Sequence, residues 1–205
     1  MRIVEIWFEF ASTYSYPAAA RIELAARDAG VEIRWRPFLL GPIFGEQGWA
    51  DSPFNIYPAK GRYMWRDLER LCAGYGIPWQ RPSVFPRNGL LAARVALAAE
   101  HESWLPGFII GIYRANFAED LEISDPAVVG RVLEGAGQES TEWLERAGST
   151  PIKNALREQT QQAIRLGIFG APSFVVGAPT TKPGGELFWG NDRLEQALCW
   201  ATRQD

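Results

Sequence analysis

The sequence predicts an α/β fold in which a small sheet, assembled from the two ends of the chain, is interrupted by a large all-helical block. Three observations carry this expectation. The first 40 residues read strand–helix–strand, the last 40 or so read strand–strand–helix, and between them apolar residues recur at helical spacing. A chain of 205 residues can bury roughly 70% of its unfolded surface in one core, so a single domain spanning 1–205 is expected. Its α/β core covers about residues 1–40 and 165–205, with the helical insertion at about 60–164.

Taken in order, Ile3-Val4-Glu5-Ile6-Trp7-Phe8-Glu9-Phe10 is rich in β-formers and reads as a strand. The alanine-rich run from Ala18 to Ala26 reads as a helix, ended by Gly30. Val31-Glu32-Ile33-Arg34-Trp35-Arg36 alternates and reads as a second strand, parallel to the first by a right-handed crossover. Roughly Leu40 to Lys60 is rich in Gly and Pro and is expected to be a loop. From Arg62 onward Met64, Trp65, Leu68, Leu71 and Cys72 share a helical face. Leu90 to Ala99 reads as a buried helix, and Leu105, Phe108, Ile109, Ile112 and Phe117 form another helical stripe. Ser124-Asp125-Pro126 is a cap followed by a first-turn proline, and Thr150-Pro151 repeats that signature before a helix reaching about Leu166. Pro172 to Val176 and Glu186 to Trp189 read as strands, separated by a turn-rich stretch from Gly177 to Gly185. Gly190-Asn191-Asp192 reads as the start of a last helix lined by Leu194, Leu198 and Ala201.

Composition narrows the function. Lys+Arg 21 against Asp+Glu 24 gives −3, which argues against a dedicated nucleic-acid binder with its basic patch or stripe. No stretch of about 18 uncharged apolar residues predicts a membrane span, and the start of the chain has no signal-peptide pattern, so a cytoplasmic protein is expected. Cys72 and Cys199 form neither a Cys-x-x-Cys motif nor a metal spacing, and His101 is the single histidine. No metal site is therefore expected. Nine Trp in a chain that is 13% aromatic suit either core filling or a cleft for a flat organic ligand.

Three segments are candidates for chemistry. Ser12-Thr13-Tyr14-Ser15 sits where a strand meets a helix, so its hydroxyls lie beside free backbone N–H groups and the positive end of the helix dipole; this reads as an anion niche or as an ordinary helix cap. In Phe169-Gly170-Ala171-Pro172-Ser173-Phe174 a cis proline would expose the Ala171 backbone on a strand edge for an extended peptide-like ligand, the alternative being a strand-initiating proline. In Trp189-Gly190-Asn191-Asp192-Arg193, free amides can hold a carboxylate and Asp192 an ammonium group, as an amino-acid moiety requires; a simple helix cap is the alternative.

In this order the segments resemble a thioredoxin-like fold whose redox members carry Cys-x-x-Cys at the first motif. Here Ser12 and Ser15 stand at those positions, and dithiol exchange is lost. More closely, the chain resembles the 2-hydroxychromene-2-carboxylate isomerase family, which is similar to kappa-class glutathione transferases in the DsbA-like branch of that fold. The resemblance spans essentially the whole chain. It rests on Phe8 to Tyr16, on Pro58-Ala59-Lys60-Gly61-Arg62-Tyr63-Met64, on Phe169 to Phe174 and on Phe188 to Glu195.

The resemblance implies glutathione as cofactor. Ser12 would lie beside its sulfur as the catalytic residue. The backbone at Ala171-Pro172 would pair with the tripeptide, and Trp189, Gly190, Asn191 and Asp192 would receive its γ-glutamyl end. Asn55 and Asn88 match positions that contact substrate, with a turn asparagine as the alternative at each. The implied activity is glutathione-dependent isomerisation of 2-hydroxychromene-2-carboxylate or a related aromatic acid, in aromatic hydrocarbon catabolism, by a homodimer. A kappa-like glutathione transferase and a redox-inactive, peptide-binding thioredoxin-fold protein are the alternatives. The sequence departs from the family at Thr13, where proline is usual, at Pro17, where leucine is usual, and in lacking a lysine between Ile43 and Gly48 that would hold a substrate carboxylate.

Overall fold

The computed structural model describes residues 2–177 and 185–203; the expected turn around 178–184 lies outside the described residues. The strand β1 (Ile3–Phe8) pairs in parallel with β2 (Glu32–Pro37), and the helix α1 (Ser15–Ala29) connects them. On the other side of β1 lies β3 (Ser173–Val176), antiparallel, and then β4 (Glu186–Trp189), antiparallel to β3. The sheet order is therefore β2-β1-β3-β4. Register places Trp7 opposite Ser173 and Ser173 opposite Trp189, so the end of β1, the start of β3 and the end of β4 meet at one end of the sheet.

Side-chain alternation along the strands makes two cores. Val4, Ile6 and Phe8 join Phe174 and Val176 in the larger one, while Trp7 and Val175 face a smaller cluster with Phe38, Ile43, Ala163 and Ile168. The helical block comprises α2 (Leu40–Glu46), α3 (Pro53–Ile56), α4 (Pro58–Tyr75), α5 (Leu90–Ala98), α6 (Leu105–Phe117), α7 (Pro126–Gly135), α8 (Ser140–Gly148) and α9 (Thr150–Arg165). A 3₁₀ turn at Asn191–Arg193 leads into α10 (Leu194–Thr202). Among the described residues no helix is long and apolar enough to cross a membrane.

Two sequence expectations need correction. The stretch 40–60 is not a loop: it holds α2, α3 and the start of α4. Its prolines initiate helices, Pro53 after the Ser52 cap, whose hydroxyl accepts from the Phe54 N–H, and Pro58 at the start of α4. The helix α8 had no counterpart in the sequence reading. It is marked by Glu139, whose carboxylate accepts from the Glu142 N–H, and by buried Trp143 and Ala147 one turn apart.

The helix α6 supports the end of β1. The Tyr113 hydroxyl donates to the Glu9 carbonyl at 3.0 Å, and the Asn116 amide donates to the Phe10 carbonyl at 3.1 Å. Asn116 is itself held by Arg87, whose guanidinium also pairs with Asp120 and donates to Ser83 Oγ. The Arg87 side chain is only 3% exposed, so its charge is stable there only because those acceptors surround it. Arg87→Ala is expected to destabilise the protein by about 3–5 kcal/mol, the usual cost of removing one partner of a buried ion pair. Urea unfolding measures this, and a change below 1 kcal/mol would show that the network contributes little.

Candidate active site

A cavity of about 1130 Å³ opens at the shared end of β1, β3 and β4. Its walls gather Ser12, Thr13 and Tyr14, the Phe169–Ala171 turn, Trp189 to Asp192, and aromatic side chains from the helical block, among them Phe44, Trp49, Phe54 and Phe85.

The two serines have different fates. Ser15 is fully buried and is not part of the cavity wall. Ser12 lines the cavity: its Oγ donates to the Ala171 carbonyl at 2.8 Å and accepts from the Ser15 N–H at 3.3 Å. The helix-cap alternative is thus partly realised, and the hydroxyl still faces the cavity. Next to it, the Thr13 and Tyr14 N–H groups have no acceptor among the described residues, leaving unpaired donors where the α1 dipole is positive.

The Ala171–Pro172 bond is cis. The strand that follows is not an edge, as the sequence suggested: β3 is flanked by β1 and β4. The available backbone is instead in the turn before it, where the Ala171 N–H has no partner among the described residues. One residue on, the Pro172 carbonyl accepts from the Gly190 N–H at 2.9 Å, extending the β3–β4 ladder into the turn at Gly190. Phe169 and Trp189 pack ring to ring at 4.8 Å, and Gly170 lies directly under the indole, where a Cβ would come within 2.4 Å of Trp189 Nε1.

At the third motif Asp192 does not cap the helix; its carboxylate is exposed and paired with Arg193 at 2.9 Å. The Asn191 and Asp192 N–H groups are free of acceptors among the described residues. Asn191 is buried, and its Oδ1 accepts from Arg21 at 2.9 Å. Arg21 also donates to the Pro17 carbonyl, pairs with Glu195 and lies over the Tyr75 ring. It fixes the turn from α1, a role that no local pattern in the sequence announces.

Asn88 lines the cavity, with its Oδ1 accepting from the Leu90 N–H at 2.9 Å. Asn55 does not. Its amide is bound to Asp51 and to the Phe85 carbonyl at 3.2 Å, so it braces the wall without facing the cavity. His101 lies in a separate depression beside Glu23, Glu100 and Glu102, so Ser12 has no imidazole base.

A profile of the DSBA-like thioredoxin domain matches residues 3–198. The chain belongs to the DSBA-like thioredoxin domain family. A 2-hydroxychromene-2-carboxylate isomerase of Pseudomonas putida is 28% identical over 99% of this chain and 97% of its own. Glutathione S-transferase kappa 1 of Homo sapiens is 28% identical over 95% of this chain and 88% of its own. Among solved structures, a 2-hydroxychromene-2-carboxylate isomerase superposes with a TM-score of 0.84 at 26% identity, covering 98% of this chain and 97% of that one.

In this DsbA-like chain no described cysteine reaches the cavity. Cys72 is buried, with its thiol pushed up to about 11, and Cys199 is exposed elsewhere. Disulfide exchange therefore has no thiol to use at this site. What stands in the cavity with Ser12 is Glu9, which the sequence reading passed over except as part of a motif. It follows β1, and its carboxyl group has no hydrogen bond or ion pair among the described residues. Burial pushes its pKa from 4.5 up to about 8, which favours the neutral form at pH 7.

This sets a pH dependence. The folded chain holds the Glu9 proton up to about pH 8, whereas the unfolded chain releases it near 4.5, so stability declines as pH rises through that window. Glu9→Gln removes the decline. Because the carboxyl group borders a cavity, the gain over the parent between pH 5 and pH 8 is expected to be on the order of 2 kcal/mol, well below the full shift. Parallel stability–pH curves for the two proteins would contradict it.

Proposed function

We propose that the chain binds glutathione along this cavity and uses it to isomerise 2-hydroxychromene-2-carboxylate or a related aromatic acid, as part of aromatic hydrocarbon catabolism in the cytoplasm. The observation that carries this reading is the line of polar groups along one wall. They are the Ser12 hydroxyl, the Ala171 N–H, and the Asn191 and Asp192 N–H groups with the Asp192 carboxylate. Their chemistry fits an extended tripeptide bearing a thiol near its middle and an α-amino acid at one end.

When bound, glutathione supplies a thiolate that adds reversibly to the conjugated substrate and leaves after bond rotation, so the tripeptide is returned unchanged. Ser12 turns its hydroxyl from the Ala171 carbonyl toward the sulfur and donates a hydrogen bond to the thiolate, with the α1 N-terminus adding positive potential. Ala171 holds the central residue by its backbone. Asp192 takes the ammonium group and the neighbouring amides take the carboxylate. The aromatic wall of Phe44, Trp49, Phe54 and Phe85 receives the flat ring system and excludes water, with Asn88 at its edge. A kappa-like transferase reaction, favoured by the human relative, would use the same groups and consume the tripeptide.

Glutathione is expected to raise the melting temperature of the protein, since it binds the native state alone. Ser12→Ala should leave the fold intact and raise the pKa of the bound thiol by about one unit, read from thiolate absorbance against pH. Asp192→Ala should weaken glutathione by roughly 1–3 kcal/mol in calorimetry. Unchanged thiolate titration or unchanged affinity would remove the corresponding residue from the site. Product analysis with the hydroxychromene substrate separates the two reactions: recovery of glutathione means isomerase, a thioether adduct means transferase.

A further inference from the structure

Among the described residues the cavity wall carries four carboxyl groups, those of Glu9, Asp51, Asp67 and Asp192. Three of them have partners. Asp51 accepts from the Ser52 N–H and the Asn55 amide, Asp67 from Tyr14 and Arg70, and Asp192 from Arg193. The Glu9 carboxyl group has neither a hydrogen bond nor an ion pair among the described residues. A buried polar group left without a partner costs stability, and such groups recur at catalytic sites.

The backbone fixes the place of Glu9. Its carbonyl accepts from the Ser12 N–H at 3.0 Å and from the Tyr113 hydroxyl at 3.0 Å, so Glu9 and Ser12 share one tight turn braced by α6. Trp7, two positions earlier, faces the cluster against which Phe44 and Ala171 pack, and continued alternation puts Glu9 on that side. Both Phe44 and Ala171 line the cavity. Tyr113 interacts electrostatically with Glu9, and burial keeps its phenol neutral. Tyr14, at the head of α1, is bonded to Asp67 of α4, and burial raises its pKa as well. Arg87, ahead of α5, is paired with Asp120. Lys60 of α4, Asp51 ahead of α3 and Asp192 complete the charged groups on the wall, whereas α2 and the Phe169–Ala171 turn bring no titratable side chain to it. With a pKa of about 8, Glu9 favours its protonated form at pH 7.

Addition of a thiolate to a conjugated carbonyl compound drives negative charge onto the carbonyl oxygen, three bonds beyond the carbon attacked. An acid close to the sulfur niche on the same wall can neutralise that charge as it develops. We propose that Glu9 is the acid–base residue of the reaction, passing its carboxyl proton to the substrate's carbonyl oxygen as the C–S bond forms and recovering it as that bond breaks. This rests on the glutathione reading above. In the addition, the π pair of the attacked double bond shifts toward the carbonyl, whose oxygen takes the Glu9 proton to give an enol, and Glu9 is left as a carboxylate. The former double bond is then single and rotates. In the elimination, the carboxylate removes the enol proton, the double bond re-forms, and the sulfur leaves with the C–S pair. Protons and electrons thus return to their starting places.

The test compares the full chain with Glu9→Gln and Glu9→Asp, using glutathione and 2-hydroxychromene-2-carboxylate. For the unaltered protein kcat/KM is expected to fall as pH rises above about 8, where the acid ionises. Glu9→Gln should lower kcat about a hundredfold and lose that alkaline limb, while Glu9→Asp keeps the limb. A second readout needs no turnover: calorimetry in two buffers of different ionisation enthalpy counts the protons exchanged when glutathione binds. Above about pH 8 a thiolate placed beside ionised Glu9 draws a proton onto it, so the unaltered protein takes up more protons than Glu9→Gln; at about pH 6 the two agree. Turnover at the unaltered level in Glu9→Gln would overturn the proposal, and so would equal proton exchange at both pH values. Failure of the glutathione reading shows separately, as absent glutathione binding to the unaltered protein. Glutathione binding without turnover of the hydroxychromene by that protein would remove the isomerase reading and the role of Glu9 together.

Discussion

Two successive carbonyl groups organise the site. The Ala171 carbonyl accepts from the Ser12 hydroxyl, and the Pro172 carbonyl accepts from the Gly190 N–H. Through them the loop after β1 and the turn after β4 are fastened to a single short segment ahead of β3. These three places border the cavity together while the Thr13, Tyr14, Ala171, Asn191 and Asp192 N–H groups have no acceptor among the described residues. A hydrogen bond of this kind contributes about 1 kcal/mol to stability, so its importance is geometric: it sets which donors face the cavity.

The electrostatics of the cavity follow from burial. Desolvation disfavours the charge of Glu9, whereas the buried Arg87 guanidinium is surrounded by acceptors from Asp120, Asn116 and Ser83. A thiolate bound near Ser12 would meet a neutral acid and the positive end of a helix in place of a carboxylate. That arrangement is compatible with the proposed use of a ligand's thiol, since no described cysteine lines the cavity.

Local patterns in the chain carried much of the architecture. A run of β-formers marked β1, alternation marked β2, alanine content marked α1, and Asp125-Pro126 and Thr150-Pro151 marked the starts of α7 and α9. The same local logic failed at 40–60, where proline was read as a breaker although Pro53 and Pro58 begin helices, and at α8, whose short apolar face went unread. Asn55 and Asn88 look alike as turn residues; only the packing shows that the first braces Phe85 and the second borders the cavity.

The chain by itself determined which segments are strands and helices and that serines replace cysteines at the head of α1, because periodicity and residue identity are local properties. Folding decided the rest. Ser12 meets Ala171 across 159 positions, Arg21 meets Asn191 across 170, and Tyr113 meets Glu9 across 104. Which serine faces the cavity, what Asn191 binds and whether Glu9 keeps its proton depend on solvent exclusion and on partners that distant, and neither is written in any window of neighbouring residues.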